Sequence, residues 1–145
     1  MQTERKDKMT EGIFDVNENE IVESSLEGVC PEELAKAIYD ILDNKKGRDI
    51  KLLHVEKKTV IADYFVICTG NSSTQVKALA DEVEYKTTLR GRAPTNVEGR
   101  DNVSWLILDY DSVIVHVFSR EAREYYNLDK LYSGTTEMKL DGAEI

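Results

Sequence analysis

Residues 105–109 and 112–118 are two largely apolar runs rich in β-branched and aromatic residues, and the break between them is short enough for a hairpin. A two-residue loop at Tyr110 and Asp111 would set Asp109 opposite Ser112, Leu108 opposite Val113 and Ile107 opposite Ile114. Leu106 would then face Val115, and Trp105 would face His116. Successive strand residues point to opposite faces. One face therefore gathers Leu106, Leu108, Val113, Val115 and Val117, an aliphatic set that belongs in a core. The other gathers Trp105, Ile107, Asp109, Ser112, Ile114, His116 and Phe118. An indole, an imidazole and a carboxylate among aliphatics suit contact with another molecule, because aromatic anchors edged by polar groups are common in interfaces. The competing use of this face is burial beneath a helix that follows the hairpin.

Upstream the period lengthens. Leu34, Ala37, Ile38, Ile41 and Leu42 form a stripe at helical spacing. Pro31 suits the first turn, Glu32 and Glu33 complement the positive end of the dipole, and Lys45, Lys46 and Gly47 mark the end. A strand near residues 50–55, a turn near 57–59 and a strand over 64–69 follow, the last ended by Gly70 and Asn71. Ser72 with Gln75 three residues later resembles a capping box opening a second helix, whose buried face is Val76, Leu79, Ala80 and Val83. Gly91 and Pro94 close that unit, a short strand near 95–97 leads into the hairpin, and Ser119 caps a third helix running through Tyr126. The order αββαβββα predicts an α/β domain on a mixed sheet with packed helices.

A chain of 145 residues is long enough for one domain with a real core. The tail at 1–27 carries eight acidic and three basic side chains and is expected to be flexible or weakly docked, although Ile13, Phe14, Val16, Ile21 and Val22 could dock on the domain or a neighbour. The domain is expected over 28–133, with a second tail at 134–145. A formal charge of −9, from 28 acidic against 19 basic residues, argues against a surface that wraps nucleic acid and predicts little direct RNA contact. Arg120, Arg123, Lys130 and Lys139 make no dense basic patch. Such a protein suits docking on a basic protein partner. The two cysteines, Cys30 and Cys68, form neither a disulfide framework nor a metal cluster, and Cys68 sits in an apolar strand pattern. The chain shows no signal-peptide pattern and no apolar run of bilayer length, so no membrane association and a cytoplasmic location are expected.

One enzymatic pattern is present. A strand ending in Gly70-Asn71-Ser72-Ser73-Thr74 could offer backbone N–H groups to a phosphate, and Asp109 with Asp111 has the spacing by which nucleotidyltransferases hold magnesium. Against it, the loop has no phosphate-binding Lys, capping explains Ser72 and Gln75, and Asp is commonplace in turns. Cys68 and His116 suggest a thiol–imidazole dyad that nothing in the sequence brings together, and His54 has no obvious partner. No catalytic residue, metal or cofactor is therefore expected.

The run WLILDYDSVIVHVF, followed by Arg123, Tyr126, Leu128 and Leu131, resembles the signature of the ribosomal silencing factors, the Iojap-like family. A second block, ADYFVICTGNSSTQVKALADEV, and Glu98-Gly99 before the Trp strand also match. The family usually has Gly then Asp where this chain has Asp111 and Ser112, and a Trp where it has Tyr132. The resemblance implies a nucleotidyltransferase-like fold without the enzymatic role. It implies binding to the large ribosomal subunit through the fourteenth protein of that subunit, on its joining face. Translation would be repressed by steric block of subunit association, with a link to large-subunit assembly. On this reading Trp105 is the anchor, Ile107, Ile114 and His116 extend the patch, Tyr110 joins it at the turn, and Asp109 pairs with a basic side chain. Two rivals stand beside it: a metal-dependent nucleotidyltransferase using Asp109 and Asp111, and a homo-oligomeric structural module, a homodimer being its simplest form.

Overall fold

A computed structural model describes residues 24–55, 62–101, 103–132 and 136–137. The turn expected at 57–59, most of both tails and Lys139 lie outside the described residues. Helix α1 (Pro31–Asn44) begins with Pro31 in its first turn and has Glu32 and Glu33 at its positive end. It stops where Lys46 turns left-handed at φ 72°, and the N–H groups of Lys46 and Gly47 return to the carbonyls of Asp43 and Leu42. Gly47 is needed for a different reason: a Cβ there would lie 2.4 Å from Cys68 Sγ.

Next come β1 (Arg48–His54), β2 (Tyr64–Gly70), α2 (Ser73–Leu89) and β3 (Asn96–Glu98). The hairpin is β4 (Trp105–Asp109) and β5 (Val113–Ser119), and after it stand α3 (Arg120–Tyr126), α4 (Leu128–Leu131) and β6 (Thr136–Glu137). The expected order holds, with α4 and β6 added at its end. Across the sheet the order is β3-β4-β5-β2-β1-β6. Among the described strands β2 and β5 pair in parallel and the other pairs are antiparallel. Strand β2 is buried along its whole length, as a parallel strand covered on both faces should be. Leu34, Ile38 and Leu42 of α1 and Leu79 and Val83 of α2 pack on Leu106, Leu108, Val115 and Val117. The opposite face holds a smaller cluster of Leu53, Phe65, Ile67 and Phe118 beneath Ala122, Leu128 and Tyr132 of the C-terminal helical region.

The hairpin register differs from the expected one. Its loop is Asp111–Ser112, with Tyr110 N–H donating to the Val113 carbonyl, so Trp105 faces Phe118, Ile107 faces His116 and Asp109 faces Ile114. Asp111 supplies the left-handed residue that the turn requires, at φ 76°, and its N–H is held by Asp109 Oδ1 at 2.8 Å. The slip moves one strand by two positions past the other. Because side chains alternate with a period of two, the two faces keep the membership expected for them.

Both domain edges move outward as well. Leu26 is only 3% exposed and packs in the main core, and its N–H donates to the Arg90 carbonyl at the end of α2. Residues 136–137 pair with Leu53 and His54 and so cover an edge of β1. Extending an N-terminal deletion from residue 23 to residue 27 is therefore expected to lower stability by about 2–5 kcal/mol, the scale of losing a buried Leu. Thermal melts of the two truncated forms would reveal it; equal melts would place Leu26 outside the core.

Candidate functional site

Trp105 lies half-buried at the start of β4, opposite Phe118, with their rings stacked at a centroid distance of 5.0 Å. Tyr126, at the end of α3, meets the indole at a tilt of 45° and a centroid distance of 4.5 Å, and lies 6.4 Å from Phe118. The indole Nε1–H donates to His116 Nδ1 at 3.2 Å. Ile107, Asp109 and Ile114 are also partly exposed, while His116 is 6% exposed and Phe118 is fully buried. The mixed face is thus divided. The C-terminal helices cover most of it, and Trp105, Ile107 and Ile114 remain partly exposed at the edge of that cover.

Arg123 fixes where those helices sit. Its Nη1 donates to the Asp49 carbonyl at 2.6 Å and to Thr69 Oγ1 at 2.8 Å, while Nε and Nη2 fork onto the Asp129 carboxylate at 3.1 and 2.9 Å. Hydrogen bonding from Arg123, aided by Lys51 at 3.4 Å, holds the Asp129 carboxyl below the usual carboxylate range. Ser119 Oγ accepts from Ala122 N–H and caps α3 as expected. This brace brings Tyr126, 48% exposed, against Trp105 and leaves Tyr125 82% exposed beside it. Neither tyrosine is among the contact residues expected from the sequence. The signal was there: two adjacent tyrosines on a short helix whose only buried residue is Ala122.

Two other assignments change. Tyr110 continues the aliphatic face of β4, is 1% exposed, and hydrogen-bonds through its hydroxyl to Thr87 Oγ1 at 2.8 Å. Burial pushes its pKa up to about 12. It cannot join a patch on the opposite face. His116 is too enclosed to extend the patch by direct contact, and desolvation lowers its pKa to about 4, so the ring is neutral at pH 7.

The enzymatic pattern comes apart in space. Strands β2 and β5 run parallel, with Tyr64 beside Val113 and Gly70 beside Ser119. Asp109 and Asp111 stand at the Val113 end and the Gly70 loop at the Ser119 end, roughly 20 Å away at the rise of a strand. The loop is also committed. Ser72 Oγ accepts from Gln75 N–H, Gln75 Oε1 accepts from Asn71 N–H, and a Cβ on Gly70 would lie 2.8 Å from Val76 Cγ2. A cation does reach it, which linear spacing hid: Arg120 Nη2 donates to Asn71 Oδ1 at 3.0 Å. The neighbouring cleft of about 550 Å³ sets Lys51, Arg120 and Arg123 against Asp49, Glu124 and Glu137, leaving no net positive field for phosphates. Calorimetric titration with ATP, GTP or CTP and magnesium is expected to give no heat of tight binding. Low-micromolar binding lost in Asp109→Asn would restore the enzyme.

Cys68 and His116 do not form a dyad, because the register pairs Ile67 with His116 and Cys68 with Val117, placing the thiol and the imidazole on opposite faces. Burial pushes the Cys68 thiol up to about 12. His54 stacks on Tyr64 at 4.6 Å. Among the described residues no helix is long and apolar enough to cross a membrane.

Residues 30–144 match the family described as ribosomal silencing factor during starvation. The chain is 40% identical over 99 residues to Ribosomal silencing factor RsfS of Bacillus subtilis, covering 68% of this chain and 84% of that one. A solved protein of Chromobacterium violaceum superposes with a TM-score of 0.69 at 33% identity, over 72% of this chain and 87% of that one. A mouse protein, Mitochondrial assembly of ribosomal large subunit protein 1, is 31% identical over 99 residues, covering 66% of this chain but only 43% of the longer relative.

Proposed function

Because the chain belongs to the ribosomal silencing factor family, we propose that it binds the large ribosomal subunit and holds off the small one. The contact is the fourteenth protein of the large subunit, on its joining face, and the mechanism is steric: a covered surface cannot receive its partner. The observation that carries this reading is the indole of Trp105, partly exposed at the edge of the helix-covered sheet face. Ile107 and Ile114 widen the apolar patch, Tyr126 joins it from α3, and Asp109 stands at its rim. An anchor flanked by partly covered apolar neighbours is the usual build of an interface centre. The net charge of −9 suits a basic ribosomal protein and would speed encounter with it. Docking of this kind also fits a part in large-subunit assembly, the activity in the name of the mouse relative. No bond is made or broken, so the partly exposed patch is all the machinery the function needs.

Co-sedimentation with isolated subunits, followed by a subunit-joining assay, tests the proposal. The protein should travel with large subunits, not small ones, and joining should fall as large subunits become occupied. Binding to neither subunit, or repressed translation with joining intact, would overturn it.

A further inference from the structure

We propose that His116 is a positioning residue that presets the Trp105 indole for docking. The inference rests on the docking reading above and deepens it. Register supplies the geometry. Trp105 lies opposite Phe118, so His116, two residues earlier on β5, is its diagonal neighbour, within reach of a large side chain. The indole N–H can only donate, so Nδ1 of the imidazole must accept and the ring proton sits on Nε2. That Nε2 has no hydrogen-bond partner among the described residues, so hydrogen bonding at Nδ1 is the ring's polar role here.

The imidazole is a fixed reference point. It sits on a central strand, 6% exposed, with Phe65 edge-on at 4.7 Å and Phe118 parallel to it at 6.1 Å. Trp105 is held less completely: it is partly exposed, and its contacts with Phe118 and Tyr126 are ring packing without a directional bond, which leaves its rotamer some freedom. A directional bond to a rigid acceptor removes that freedom before the partner arrives. An anchor already in its bound rotamer loses less entropy on association.

The test uses the full chain and three variants. His116→Leu removes the acceptor at similar bulk, His116→Asn keeps an oxygen near the place of Nδ1, and Trp105→Ala removes the anchor. Trp105 is the only tryptophan, so a single indole N–H resonance and the intrinsic fluorescence report it directly. His116→Leu is expected to shift that resonance, speed its exchange with solvent, lower fluorescence anisotropy, and weaken binding to isolated large subunits about three- to tenfold. Its melting temperature should hold or rise, since an unpartnered buried N–H is also removed. His116→Asn should recover part of the binding and of the resonance position. An indole resonance unchanged in His116→Leu overturns the proposal. So does normal binding by His116→Leu where Trp105→Ala binds poorly. Normal binding by Trp105→Ala would instead sink the docking face itself, and the positioning role with it.

Discussion

Trp105→Ala is expected to weaken binding to the large subunit by about 2 kcal/mol or more, whereas Leu106→Ala should bind normally once folded and lose about 2–5 kcal/mol of folding stability. The two residues are sequence neighbours on β4 and point to opposite faces. Leu106 is fully buried against α1 and α2, so its truncation leaves a cavity that well-packed helices cannot collapse. Trp105 is partly exposed at the edge of the helix-covered face. Its removal also costs fold stability, about 0.5–1.5 kcal/mol for each ring contact with Phe118 and Tyr126 beyond the area they bury, so the loss of binding is what sets Trp105→Ala apart. Thermal melting and subunit co-sedimentation on both variants separate the effects. Equal melts with normal binding by Trp105→Ala would show that the faces are assigned backwards.

The two faces of the hairpin were legible because strand alternation survives an error in register. A loop placed one residue early moved every cross-strand partner yet no side chain changed sides, as Leu106, Leu108, Val115 and Val117 show. Helix boundaries were legible for a local reason: Pro31, Ser72 and Ser119 act on backbone groups within one turn of themselves. What could not be read was long-range. Nothing near Leu26 in sequence announces the Arg90 carbonyl it binds, and nothing near Arg123 announces Asp49. The site suffered most from this. Whether the mixed face was open or covered depended on where α3 and α4 fold back, and the answer divides the face between cover and exposure. A loop one residue earlier makes Tyr110 a turn residue, whereas the observed loop at Asp111–Ser112 leaves it on the core face. His116 fell on the predicted face, but proximity to Phe65 and Phe118 encloses it.

That enclosure predicts an acid sensitivity in an unusual window. His116 ordinarily titrates near 6.5, and desolvation lowers it to about 4 in the folded protein. Between those values the unfolded chain binds a proton that the native state refuses, so stability must fall as pH falls. The contribution is complete above pH 6.5, declines through the interval, and stops changing below about 4, where both states are protonated. Integrated over the interval it amounts to roughly 3 kcal/mol, the product of the shift and the free energy per unit of pKa. Asp129 acts in a different range. Its carboxyl is held below the usual value by Arg123, so its stabilisation persists until the pH drops below the ordinary carboxylate pKa. The two effects separate on the pH axis. Denaturant unfolding of the native chain and of His116→Asn, measured from pH 7.5 to 4, should show the native chain losing about 3 kcal/mol more than the variant as pH falls, because the variant lacks the titrating ring. Parallel curves across that range would mean that the buried imidazole takes up a proton as readily as an exposed one.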